Sequence, residues 1–310
     1  MSVVDWLLDS DPAIRWQVMR DLTDADDATV AAERARIADE GWGARLLALQ
    51  AADGEWGGAT YSPPVSRDPD VQPWTPTAFT LQLLRLFGID PADVRVRHAV
   101  ELVGEHSTWE YDGSRFFDGE VEPCINGMTV AIGAYFGQDV SRIVERLLGE
   151  PLDDGGWNCE AEFGSTRSSF NSTISVLEGL LEYENRVGAT PQITGARERA
   201  HEYLLDRHLM RRLSTGEIID ERWLRFSFPM RWHYDVLRGL DYFRAAGVRP
   251  DDRLAEAIDL VESKRTADGR WLLENTYAGA VHFELEDGDG RPSRWNTLRA
   301  LRVLDWYRRV

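Results

Sequence analysis

The sequence predicts an all-α protein, an (α/α)6 toroid of alternating inner and outer helices in a single domain over residues 1–310. Three observations predict it. First, Asp-Gly turns followed by an aromatic residue recur at Asp53-Gly-Glu-Trp56, Asp112-Gly-Ser-Arg-Phe116, Asp154-Gly-Gly-Trp157 and Asp268-Gly-Arg-Trp271, with a degenerate copy at Thr215-Gly-Glu-Ile218. Second, one helix opening of Pro, Arg, Trp and a polar residue recurs at Pro12 to Gln17, Pro229 to His233 and Pro292 to Asn296. Third, helices apolar on nearly all sides alternate with helices carrying one apolar stripe. A supersecondary unit repeated along a chain is the mark of a repeat architecture.

Taken in order, Pro12 opens a helix through Leu22, with Ile14, Val18 and Leu22 on one face. Asp24 to Asp27 caps a charged helix reaching about Asp39, and Ala44–Gln50 is a further short helix. In each turn that follows, Gly accepts the positive φ that closes the bend, and the aromatic residue anchors it. All-round apolar helices begin near Trp16, Trp74, Ile125, Phe170, Trp232 and Trp295. Between them lie amphipathic helices at Asp93–Glu105, Val140–Leu148, Ala196–Asp206 and Arg253–Ser263. In the last, Leu254, Ile258 and Val261 form the stripe. Inner helices buried on both sides are apolar all round, whereas outer ones need a single stripe. Six inner helices therefore imply the closed toroid.

Composition narrows the function. Hydrophobic residues at 43% and charged residues at 28% are globular values. A net charge of −18 argues against non-specific nucleic-acid binding, which needs a basic surface, while leaving room for a local basic pocket. No apolar run approaches the roughly 20 residues of a membrane span, and the N-terminus lacks the basic and apolar regions of a secretory signal. Two cysteines, Cys124 and Cys159, are too few for a disulfide framework. We therefore expect a cytoplasmic protein. Lys264 as the lone lysine among 35 basic residues suggests a GC-rich bacterial genome.

The repeated Asp-Gly-x-Trp turns, one preceded by Gln50, resemble the repeats of the squalene–hopene cyclase and protein prenyltransferase superfamily. The resemblance spans most of the chain and implies the toroid, a prenyl or diphosphate-containing substrate, and chemistry at the rim where the inner helices begin. At matching positions on that rim stand Gln17, Thr75, Asn126, Asn171, His233 and Asn296, which are helix caps or a polar lining. Arg15, Arg167, Arg231 and Arg294 lie just before inner helices, where they either pair with loop carboxylates or join helix dipoles in an anion site. Trp157, Trp232, Trp295, Phe170 and Tyr234 are wall residues for an isoprenoid chain or a sugar, or barrel packing.

In protein prenyltransferases a zinc is held by an Asp and a Cys ahead of one inner helix and a His opening the next. Cys159 and His233 stand at similar positions. The third ligand departs from the pattern, because position 157 is Trp157 and not Asp. Asp154, Glu160, Glu162 or Asp235 would substitute in a set zinc accepts; a free thiol and a capping imidazole is the other reading. Squalene-type cyclases protonate an alkene through Asp-x-Asp-Asp. That string occurs at Asp24 to Asp27, but there it caps a charged helix and reads as solvated. Thr75 and Pro76 occupy the positions of the cyclase acids. Asp235, beside His233, is the remaining candidate acid, its pKa raised if buried, or simply a carboxylate favoured by the helix dipole. A carbohydrate-active enzyme with Asp235 and Glu160 as paired carboxylates and a non-catalytic binding toroid are the competing functions.

Overall fold

The computed structural model describes residues 2–62 and 72–309, which are predominantly helical. In chain order the helices are α1 (Val3–Leu8), α2 (Pro12–Leu22), α3 (Asp27–Ala35), α4 (Gly41–Leu47), α5 (Thr77–Phe87), α6 (Val94–His106) and α7 (Pro123–Tyr135). They continue with α8 (Ser141–Gly149), α9 (Phe170–Val187), α10 (Pro191–Leu205), α11 (Val236–Ala245), α12 (Ala255–Ser263) and α13 (Arg294–Arg308). Two short strands, β1 (Trp271–Leu272) and β2 (Pro292–Ser293), pair antiparallel with Trp271 opposite Ser293. The chain gathers into two compact units, each assembled from separate stretches. One holds Met1–Val121, Met128–Ile143 and Tyr277–Leu285; the other holds Glu122–Gly127, Val144–Thr276 and Glu286–Val310.

Local chemistry explains where the helices start. Asp11 accepts from Ala13 N and Pro12 takes the first helical position, so α2 begins where the Pro predicts. Asp26 caps α3 through Thr29 N, and Asp24, Asp26 and Asp27 are exposed, so the Asp-x-Asp-Asp string is a solvated cap. Ser169 caps α9 and Ser293 caps α13. The start of α11 corrects the expected opening at Trp232. Arg231 has φ +59°, a left-handed break, and the helix waits until Val236, where the Asp235 carboxylate accepts Arg238 N at 2.7 Å.

Burial reproduces the two predicted helix types. From Thr77 to Leu84 every residue of α5 is buried, as is every residue of α13 from Trp295 to Ala300. On α6 burial is confined to Val96, Ala99, Val100 and Val103, and on α12 to Ala257, Ile258 and Val261.

The aromatic turns form a repeated device. Trp56, Trp157 and Trp271 are fully buried. Each indole N–H donates to a carbonyl ten residues back: Leu46, Leu147 and Val261, at 2.7–2.8 Å. Those carbonyls lie in the last turns of α4, α8 and α12, where helical partners run out. Each Trp backbone N–H also donates to a threonine in the helix that follows, Thr77, Thr173 or Thr297, at 3.0–3.1 Å. The tryptophan thus closes one helix and is tied to the start of the next. The other two turns close as small hairpins, with isolated bridges Thr108–Arg115 and Arg211–Ile218.

Candidate functional site

The first turn of α9 brings together the groups best suited to chemistry. On one side of it lies a cleft of about 480 Å³. Phe170, Tyr203 and Trp223 contribute aromatic walls, and Arg167, Arg207 and Arg212 contribute guanidinium groups. The Phe170 ring centroid lies 4.6 Å from that of Trp223 and 5.4 Å from that of Tyr203. Arg207 stacks its guanidinium 4.0 Å above the Tyr203 ring. The rim is fixed by Asp154, which accepts Ser168 N at 3.1 Å and stands 3.7 Å from Arg207. Burial pushes the Tyr203 phenol above its ordinary value, so it stays protonated, and its hydroxyl donates to Ser168 O at 2.7 Å.

On the same turn Ser172 faces a sulfur cluster. Cys159 opens a short 3-10 helix, Cys159–Phe163, capped by the Asn158 side chain. Its Sγ lies 2.9 Å from Cys124 Sγ and 3.3 Å from Ser172 Oγ. Cys124, in the first turn of α7, also has Glu122 Oε2 at 3.4 Å. The hydrogen bond between the two thiols, helped by Ser172, holds the Cys159 thiol below its ordinary pKa; the same bond and burial push Cys124 well above. Donor atoms of Glu122, Cys124 and Cys159 all lie within 4.8 Å of one another, a separation that one metal ion bridges. Among the described residues this is the group so arranged, and His233 is not in it. Cys159 therefore meets a second cysteine and a glutamate where the resemblance implied a histidine.

His233 lies in the non-helical approach to α11, its ring stacked on Trp232 at 3.7 Å. Burial, with Arg238 nearby, pushes its pKa down to about 4, so the imidazole is neutral at neutral pH. Asp235 is 1% exposed, accepts Ser227 N at 3.2 Å as well as Arg238 N, and has Arg299 at 3.9 Å. Burial raises its pKa against the pull of Arg299, as anticipated, while its lone pairs are used in capping α11.

The polar and aromatic rim residues are largely built into the backbone network. Asn171 Oδ1 accepts Tyr234 N at 2.7 Å. Asn296 donates to Phe226 O and Leu272 O, both at 3.1 Å. Asn126 is buried in the first turn of α7. Tyr234 is buried and donates its hydroxyl to Leu209 O at 2.8 Å. Trp157 is the turn anchor already described, Arg231 is buried, Trp232 and Arg294 are half-buried, and Arg167 is exposed at the cleft. Sequence reasoning missed Tyr203, Arg207, Arg212 and Trp223. The one signal for them is the basic His208-Leu-Met-Arg-Arg212 run beside the degenerate turn. It also missed Glu122 and Cys124, which the sequence places 37 and 35 residues ahead of Cys159.

The sequence matches no family model and no curated protein. Among the described residues no helix is long and apolar enough to cross a membrane.

Proposed function

We propose that the protein is an isoprenoid-handling enzyme built on an α/α toroid, of the prenyltransferase and terpene-cyclase kind, and that it binds a prenyl diphosphate in the cleft at the α9 N-terminus. The observation that carries this reading is the pairing, in one cleft, of three guanidinium groups with an aromatic wall at a helix start. Arginine forks suit phosphate oxygens, and the N-terminal end of a helix adds partial positive charge. Phe170, Tyr203 and Trp223 suit an apolar, unsaturated chain. The repeated Trp device, joining α4, α8 and α12 to the starts of α5, α9 and α13, supports the toroid.

The chain's own part in the reaction is to bind and orient the diphosphate through Arg167, Arg207 and Arg212 and to keep water from the chain along the aromatic wall. The resemblance also implies zinc. Cys159 and Cys124 with Glu122 are the residues whose donors fit it; when bound, zinc supplies a Lewis acid or holds a thiolate. Asp235 and His233 are spoken for as a helix cap and a neutral stacked ring, which weakens both the acid role and the sugar-cleaving alternative.

Isothermal titration with farnesyl diphosphate, farnesol and inorganic diphosphate tests the assignment. Farnesyl diphosphate should bind tightest, and Arg212→Ala and Arg167→Ala should each weaken it about tenfold or more, the range for a charge-assisted hydrogen bond. Equal or absent binding of all three ligands refutes it.

A further inference from the structure

We propose that Glu122, Cys124 and Cys159 form a metal site for one thiophilic divalent ion of the zinc class, a site that stands whether or not the protein handles prenyl groups. Both cysteines of the chain are in it. They come from different helix starts, Cys124 from the first turn of α7 and Cys159 from the 3-10 turn ahead of α9, and they meet at 2.9 Å. A carboxylate oxygen joins them at 3.4 Å from Cys124. All three residues are half-buried, so an ion can reach them.

The chemistry of the set argues for a cation. Thiolates select zinc-class ions over magnesium or calcium, and a carboxylate completes a mixed sulfur–oxygen set that zinc accepts. Two thiols packed beside a carboxylate gather groups whose charged forms repel one another, and a divalent ion bound to all three removes that repulsion. Glu122 is the part a simple thiol pair does not need. With Zn–S of about 2.3 Å in a tetrahedron, two thiolates sit roughly 3.8 Å apart. The sulfurs must therefore separate by just under ~1 Å, within reach of rotation about two side-chain bonds. Binding displaces the thiol protons to solvent, one from each cysteine, so occupancy is lost on acidification. Ser172 Oγ, 3.3 Å from Cys159 Sγ, is placed to donate to the bound thiolate and orient it. Three protein donors leave the fourth position to water or a ligand. The ion would then join the start of α7 to the loop ahead of α9.

The test is metal titration of the reduced full-length protein. Cobalt(II) should bind one ion per chain and show a thiolate-to-cobalt charge-transfer band with the visible bands of tetrahedral cobalt. Zinc should displace it and protect both cysteines from alkylation. Cys124→Ser and Cys159→Ser should each lose the two-thiolate spectrum, whereas Glu122→Gln should keep the sulfur band with about 10- to 100-fold weaker affinity. Alkylation protection in the unmutated protein decides the matter even if a variant fails to fold. The proposal is overturned if reduced protein shows no charge-transfer band and no protection. It is also overturned if zinc-loaded protein retains its metal in Cys124→Ser and loses it in His233→Ala. A protein isolated without reductant whose mass is lower by two hydrogens, and whose thiols once reduced take no cobalt, would make the pair a disulfide instead.

Discussion

Glu286 shows how one side chain makes stability depend on pH. Its carboxylate accepts Ser293 Oγ at 2.6 Å and the backbone N–H groups of Arg294 and Trp295, at the start of α13. Burial outweighs those bonds and pushes its pKa from 4.5 up to about 7. Between those values the folded chain holds a proton that the unfolded chain has released. The contribution is therefore complete below pH 4.5 and lost as pH rises through 7, roughly 3 kcal/mol at most. Denaturant melts from pH 5 to 8 should show this fall in the parent and a flatter profile in Glu286→Gln; parallel profiles would remove Glu286 from the account. Thr173 is a second such residue, since its hydroxyl takes the buried Trp157 N–H. Thr173→Val should cost about 1–3 kcal/mol, the penalty for an unsatisfied buried donor, read as a lower urea midpoint. The sequence announces the tryptophans through the turns, but not the threonines. They lie 21, 16 and 26 residues downstream, at no fixed spacing.

At the scale of elements, the middle of α9 packs backbone to backbone against the first half of α7. A Cβ on Gly179 would fall 2.4 Å from Gly127 O, and one on Gly127 would fall 2.5 Å from the Ser175 carbonyl carbon. The backbones touch where these glycines meet, about one turn along α7 from Cys124 and two turns along α9 from Ser172. Gly179→Ala should destabilise the protein by about 1–3 kcal/mol, as overpacking does, although alanine is the better helix former. A gain in stability on thermal melting would show that the approach is not tight. Helix boundaries were legible at Asp11-Pro12, Asp93 and Ser169, where a capping side chain or a Pro marks them, but at Thr190-Pro191 the same marks were passed over and α10 begins ahead of the expected Ala196. The α11 boundary was not. Pro229 reads as a helix entry, but the positive φ of Arg231 breaks the backbone and hands the start to Asp235.

The whole molecule carries a net charge of −18, and its self-repulsion is screened by salt. The melting temperature should therefore rise from 20 to 200 mM sodium chloride, while affinity for an anionic ligand in the arginine-lined cleft should fall over the same range. A melting temperature independent of salt would mean that local ion pairs, such as Arg238 with Glu178 at 2.8 Å, already neutralise the field. The same acidity predicts no shift of duplex DNA in a gel assay at physiological salt.

The sequence by itself determined the helical class, the two kinds of helix and the Asp-Gly-Trp turns, because each follows from short-range periodicity, capping and turn chemistry. The tertiary structure decided which polar residues are left to act. Asn171, Asn296 and Asp235 are committed to backbone partners that the sequence does not name. Cys159 finds Cys124 and Glu122, and Phe170 finds Trp223 and Tyr203, across loops whose course depends on packing. Contacts between residues far apart in sequence are fixed by which faces pack together, and no local pattern records them.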